Sequence, residues 1–120
     1  MKLAVTSQGN NLQSPLDPRF GRAKYFIVVD TDTGAFSAAD NSVNLNAAQG
    51  AGIQSGKRVV ELGAAGLITG HVGPKAFSTL QAGGVKIYTG ASGTVAEAIE
   101  QFKTGKLAAA ATADVEGHWA

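Results

Sequence analysis

The stretch ITGHVGPKAF, Ile68 to Phe77, reads as the end of a buried strand, a glycine-flanked bend and the start of a helix. Pro74 suits the first helical turn, where its missing N–H costs nothing. Ala76, Phe77 and Leu80 fall on one face of that helix, and Gly83-Gly84 stops it. A further strand, Val85 to Thr89 (VKIYT), follows at once. Two short strands joined by one helix must run parallel, with a right-handed crossover. The pattern then repeats. Gly90-Ala91-Ser92-Gly93 leads into a last helix whose face Val95, Ala98, Ile99, Phe102 has the spacing i, i+3, i+4, i+7. Thr94 or Ser92 can cap it, and Gly105 ends it. Upstream, a helix carrying Ile53, Gly56, Val59 and Val60 on one side ends at Gly63 and feeds the strand Gly66 to Thr69.

The first third of the chain follows a different rule. Lys2 to Ser7 is a strand with Leu3, Ala4 and Val5 as a buried run, and Gln8 to Arg22 is a loop with Pro15 and Pro18. Lys24 to Asp30 (KYFIVVD) is β-branched and aromatic, Thr31-Asp32-Thr33-Gly34 is a hairpin turn, and Ala35 to Asp40 returns antiparallel. Antiparallel strands first and helix-linked strands after fit one sheet only if the first strand is central. The expected fold is an α/β, ribonuclease H-like layered domain: a five-stranded mixed sheet in order 3-2-1-4-5 with three helices. The likeness to that class is topological and implies no activity. Residues 1–107 are expected to form the single domain and 108–120, alanine-rich and then polar with Trp119, a flexible tail.

Composition narrows the function. Net charge is +1, which argues against nucleic-acid binding through a basic face. The absence of cysteine from all 120 residues excludes disulfides, thiolate-held zinc and cysteine-ligated iron–sulfur clusters. The start MKLAVTSQGN breaks its apolar run at Thr6, which predicts no signal peptide, and no run reaches membrane-spanning length. A soluble cytoplasmic protein with neither nucleic acid nor membrane as partner is expected.

Open α/β sheets bind ligands at the carboxyl ends of parallel strands. Ser7-Gln8-Gly9, Gly70-His71-Val72-Gly73 and Gly90 to Gly93 should reach that rim. So should Arg19-Phe20-Gly21-Arg22, because the second strand starts there. Gln49-Gly50-Ala51-Gly52 need not, unless the loop before it crosses over. Taken singly these have plain readings: turn glycines, a loop histidine, solvated arginines. Together they predict an anion site. Arg19, Arg22, His71 and Lys75 would supply charge and hydrogen bonds, with Gly70, Gly73, Ser92, Gly93 and Thr94 supplying backbone and hydroxyl donors. Val72, Pro74 and Ile53 would form an apolar wall. Asp17 is the one carboxylate expected in these loops, able to pair with Arg19 or Arg22.

PRFGRAKYF before the second strand, GAGIQ opening a helix, GHVGPKAF and GASGTVAEAIEQF occur in order across most of residues 1–107. In these segments the chain resembles the dinitrogenase iron–molybdenum cofactor biosynthesis family, most of all its small stand-alone members. The resemblance implies a ribonuclease H-like fold and the binding, carrying or assembly of molybdenum-containing metal–sulfur clusters. Here it implies a noncovalently held molybdenum–copper sulfide cluster, with His71 a candidate for direct ligation and protein partners in a complex. Many members carry histidine before the FGR segment, where this chain has Arg19. A guanidinium does not ligate metal there but suits charge pairing with an anionic thiometallate. A cluster complete in its own sulfide ligands needs cations and donors, not thiolates.

Other classes fit less well. Ribonuclease H-type two-metal chemistry needs carboxylates on the central strands, and KLAVTS has none; Asp30 and Asp32 fall at the far end. The only histidines are His71 and His118, and no G-x-S-x-G elbow is present, so a nucleophilic hydrolase is unsupported and no enzyme is expected. The alternative is a small binding or regulatory module for an anionic metabolite or a protein partner, without metal.

Overall fold

The strand β1 (Lys2–Ser7) is buried from Leu3 to Ser7, on both faces, as a central strand must be. In the computed structural model, which describes residues 1–42 and 51–113, it pairs antiparallel with β2 (Tyr25–Asp30) and parallel with β4 (Gly66–Ile68). Beyond these lie β3 (Phe36–Asp40), antiparallel to β2, and β5 (Lys86–Tyr88), parallel to β4. The sheet order is β3-β2-β1-β4-β5, as the connections predict. Residues 43–50, which include the start of Gln49-Gly50-Ala51-Gly52, and residues 114–120, which include His118 and Trp119, lie outside the described residues.

Alternation along the strands divides the core in two. Ala4, Phe26, Leu67 and Ile87 point to one face, where α1 (Ala51–Glu61) contributes Val59 and α2 (Pro74–Ala82) contributes Ala76, Phe77 and Leu80. Leu3, Val5, Ile27 and Ile68 point to the other, against Val95, Ala98 and Ile99 of α3 (Val95–Lys103). Each fully buried large side chain is worth about 1.5–3 kcal/mol of burial, so both layers together hold the sheet between helices.

Two local expectations change. The buried face of α1 is Ala51, Gly52, Ser55, Gly56 and Val59, while Ile53 and Val60 are half-buried and Gly63 is exposed. Small residues take the inner positions because α1 must pack against both α2 and the 3-10 turn Phe20–Arg22. The segment after 107 is not loose at its start. Ala109 bridges Tyr88, the Ala110 N–H donates to the Ile87 carbonyl at 2.7 Å, and Ala110 and Ala113 pack on the core. It follows that the outer edge of β5 is covered by the chain itself.

Candidate functional site

The pairing register sets the rim. Ser7, Tyr25 and Asp40 lie side by side at one end of β1, β2 and β3, and Ile68 and Tyr88 end β4 and β5 on the same side. Because β3 runs parallel to β1, its carboxyl end opens onto this rim. The first described residues of α1, Ala51 and Gly52, lie at this rim as well, because the helix leads back to the amino end of β4 at the other. Asn41, fully buried just past β3, fixes this corner: its Nδ2 donates to the Ala23 carbonyl at 2.9 Å and to Ser55 Oγ at 3.1 Å.

The loop before β2 is docked along the loop after β4. The His71 N–H donates to the Pro18 carbonyl at 2.8 Å, and the Phe20 N–H donates to the His71 carbonyl at 3.2 Å. Arg19 and His71 are therefore register partners in a short parallel bridge. This contact explains Gly70: a Cβ there would sit 2.7 Å from both the Cα and the carbonyl oxygen of Pro18, so only glycine allows the approach. Arg22 follows one 3-10 turn after Arg19, its N–H donating to the Arg19 carbonyl at 3.1 Å. Lys75 is four residues after His71, exposed in the first turn of α2.

The structure thus brings the segments of Arg19, Arg22, His71 and Lys75 to one rim. Neither segment 18–24 nor segment 69–77 contains an acid. Gly73 is the N-cap of α2 and Pro74 its first residue, with no side chain capping the turn. The N–H groups of Lys75 and Ala76 meet no acceptor among the described residues. That end of α2 carries the positive pole of the helix.

Asp17 does not form an ion pair with Arg19 or Arg22. Its Oδ1 accepts the Arg19 backbone N–H at 3.0 Å. Burial pushes its carboxyl up from the ordinary value, partly offset by that hydrogen bond and by the charges of Arg19 and Lys24. Asp30 and Asp32 lie at the opposite rim, beside the terminal amine of Met1, which donates to Asp32 Oδ2 at 3.2 Å.

Ser92, Gly93 and Thr94 reach the same rim, but the N–H groups of Ser92 and Thr94 and the Thr94 hydroxyl are taken up within the chain. The Ser92 N–H donates to Gln101 Oε1 at 3.3 Å, and the Thr94 N–H donates to Glu97 Oε1 at 3.0 Å. Thr94 Oγ1 accepts from the Glu97 N–H at 3.1 Å, completing a capping box. The next two N–H groups of α3, from Val95 and Ala96, donate to the carbonyls of Ser14 and Leu12 at 2.9 Å each. The loop 8–18 therefore fills this helix end. The apolar wall is also rearranged: Val72 is fully buried in the core, Pro74 is exposed and Ile53 half-buried. Hollows of about 290 Å³ (Phe77, Val85, Ile87 and Ala109 among the lining) and 360 Å³ (Lys57, Val60, Thr79, Gly83) lie toward the other rim.

No group of three histidine, cysteine, aspartate or glutamate side chains among the described residues could hold a bare metal ion. The donor set is cationic and hydrogen-bonding, which fits an anion that brings its own ligands and does not fit a free metal. No helix among the described residues is long and apolar enough to cross a membrane.

Comparison with known proteins agrees with this picture. The apo form of the orange protein from Desulfovibrio gigas superposes with a TM-score of 0.92 at 42% identity, covering 95% of this chain and 96% of that one. An NMR structure from Thermotoga, described as a candidate NifB protein, gives 0.83 at 40% identity over 97% and 98%. An uncharacterized protein of Methanocaldococcus jannaschii is 29% identical over 109 residues, 89% of each chain. The family model described as dinitrogenase iron-molybdenum cofactor matches residues 1–105, and the chain belongs to that family.

Proposed function

We propose that this protein binds a molybdenum-containing metal–sulfur cluster without covalent attachment, as a carrier, store or assembly protein rather than an enzyme, and that the cluster is a molybdenum–copper sulfide. The observation that carries the reading is the bridge between Arg19 and His71, which brings the backbone segments of these two nitrogen-bearing residues into register just before α2, whose N-cap Gly73 has no capping side chain. Arg19, Arg22, His71 and Lys75 would hold the anionic cluster by charge and hydrogen bonds, with the backbone N–H groups at the start of α2 as further donors. The sulfide ligands come with the cargo, which matches a chain without cysteine.

A cation–anion contact at 4 Å is worth about 1 kcal/mol in water and about 4 kcal/mol where the surroundings behave as a dielectric of 20. Three or four such contacts on an open rim give retention that weakens as salt rises. The test is uptake of tetrathiomolybdate and copper(I) by the purified protein, followed by visible absorption and by molybdenum, copper and sulfide analysis. The double variant Arg22→Ala/His71→Ala should retain at least tenfold less cluster. Equal retention would remove both residues from the site, and no uptake by the unaltered protein would favour an anion-binding module without metal.

A further inference from the structure

Two buried hydroxyls lie directly beneath the Arg19–His71 bridge. Thr6, near the end of β1, and Thr69, just past β4, are both completely buried. Thr6 Oγ1 is 2.7 Å from the Asp17 carbonyl and 3.0 Å from Thr69 Oγ1. Thr6 has one hydroxyl proton. A carbonyl can only accept, so that proton goes to Asp17, and the Thr69 hydroxyl must donate to Thr6 Oγ1. The result is a one-way relay, Thr69 to Thr6 to the Asp17 carbonyl, in a site without water-exposed alternatives. The Asp17 N–H closes the contact by donating to the Thr6 carbonyl at 3.0 Å.

This relay fixes the residue from which the cationic segment starts. Pro18, Arg19 and Phe20 follow Asp17 directly, and Gly70 and His71 follow Thr69. The two strands that supply the hydroxyls are thereby locked to both halves of the bridge. A hydrophobic core at these positions would hold the sheet together equally well, since valine is close in shape to threonine. What valine lacks is the donor that the Asp17 carbonyl and the Thr6 oxygen require.

We infer that Thr6 and Thr69 are positioning residues for the anion site: they set the register of the Arg19 segment against His71 without touching the guest. The inference rests on the function proposed above and adds to it two residues that no binding contact would identify. Thr6→Val, Thr69→Val and Thr6→Ser are compared with the unaltered protein in two measurements. One is cluster uptake from tetrathiomolybdate and copper(I). The other is hydrogen exchange at the Phe20 and His71 amides in protein without cluster, with the amides of the β2–β3 pair as internal reference.

Both valine variants should exchange at Phe20 and His71 about tenfold or more faster while the reference amides stay protected, and should bind cluster about tenfold less tightly. Thr6→Ser, which keeps the hydroxyl, should lie within about threefold of the unaltered protein in both. Unchanged exchange at Phe20 and His71 in folded valine variants overturns the inference, as does a serine variant as impaired as valine. Should one valine variant not fold, the other decides. If the unaltered protein takes up no cluster, the proposed function fails, and the exchange measurement still decides whether the hydroxyls set the bridge.

Discussion

The two strand-to-helix junctions of the parallel half look alike in sequence and do different work. GHVGP after β4 and GASGT after β5 both place glycines before a helix of nine residues. At the second, the chain consumes the donors of the helix start: Glu97, Thr94, Gln101 and the carbonyls of Leu12 and Ser14 take the N–H groups of Ser92 and of residues 94–97. At the first, the cap is a glycine without a side chain, the N–H groups of Lys75 and Ala76 meet no acceptor among the described residues, and the segment carrying Arg19 is bridged to His71 just before the helix. A helix N-terminus becomes a site for a foreign anion only where the rest of the chain has left it open.

Substituting the glycine of each junction should separate the two roles most sharply. In Gly70→Ala the new methyl would collide with Pro18 backbone, which cannot yield without undoing the bridge. We expect a loss of about 2–3 kcal/mol in urea unfolding, together with loss of cluster uptake. In Gly93→Ala the backbone has φ +85° and the methyl would meet Glu97 Oε1 at 2.7 Å. The expected loss is about 1–2 kcal/mol from the left-handed conformation and a disturbed cap, with uptake retained. Loss of uptake in Gly93→Ala alone would mean that the second junction contributes to the site after all.

Thr94→Ala should cost about 1 kcal/mol by removing the capping box. Uptake of cluster per folded molecule, measured below the denaturation midpoint, should not change. A smaller effect is expected at Asp17. Its folded carboxyl titrates above its unfolded value, because burial disfavours the charge. The folded state then binds the proton more readily than the unfolded state, so this group lowers stability as pH rises through that interval and favours folding below it. Asp17→Asn keeps an acceptor for the Arg19 N–H and removes the buried charge. It should be equal to or slightly more stable than the unaltered protein near neutral pH, by less than about 1 kcal/mol because the group is only half-buried. The difference should shrink as pH falls through the raised folded value and be gone below the ordinary carboxylate value of about 4. A clear destabilisation at neutral pH would show that the carboxylate charge is needed to hold Arg19.

The cationic residues were legible in the sequence because connection rules place them at one rim. Arg19 and Arg22 precede a strand antiparallel to β1, and His71 and Lys75 follow a strand parallel to it. The start of α1 could have been placed by the same logic, since a strand antiparallel to β2 must end where β1 ends. Thr6 and Thr69 were not legible. In a run such as KLAVTS a threonine is an ordinary strand residue, and its hydroxyl acquires a role only when a residue more than sixty positions away comes within 3.0 Å. The contact of Ala109 and Ala110 with β5 was not legible for a similar reason, since alanines carry no periodic signal that would announce docking on that edge.

The sequence alone made the strand order readable, because an antiparallel set comes first, helix-linked strands must run parallel with right-handed crossovers, and the apolar run Leu3 to Val5 suits a central strand. It also determined the chemistry on offer at the rim, a cationic set without thiolates. Only the tertiary structure decided which helix start is left open among the described residues. That choice depends on where the loop 8–18 lands, and a loop's landing place is set by hydrogen bonds to distant carbonyls and by one close approach at Gly70, which residue order does not encode locally.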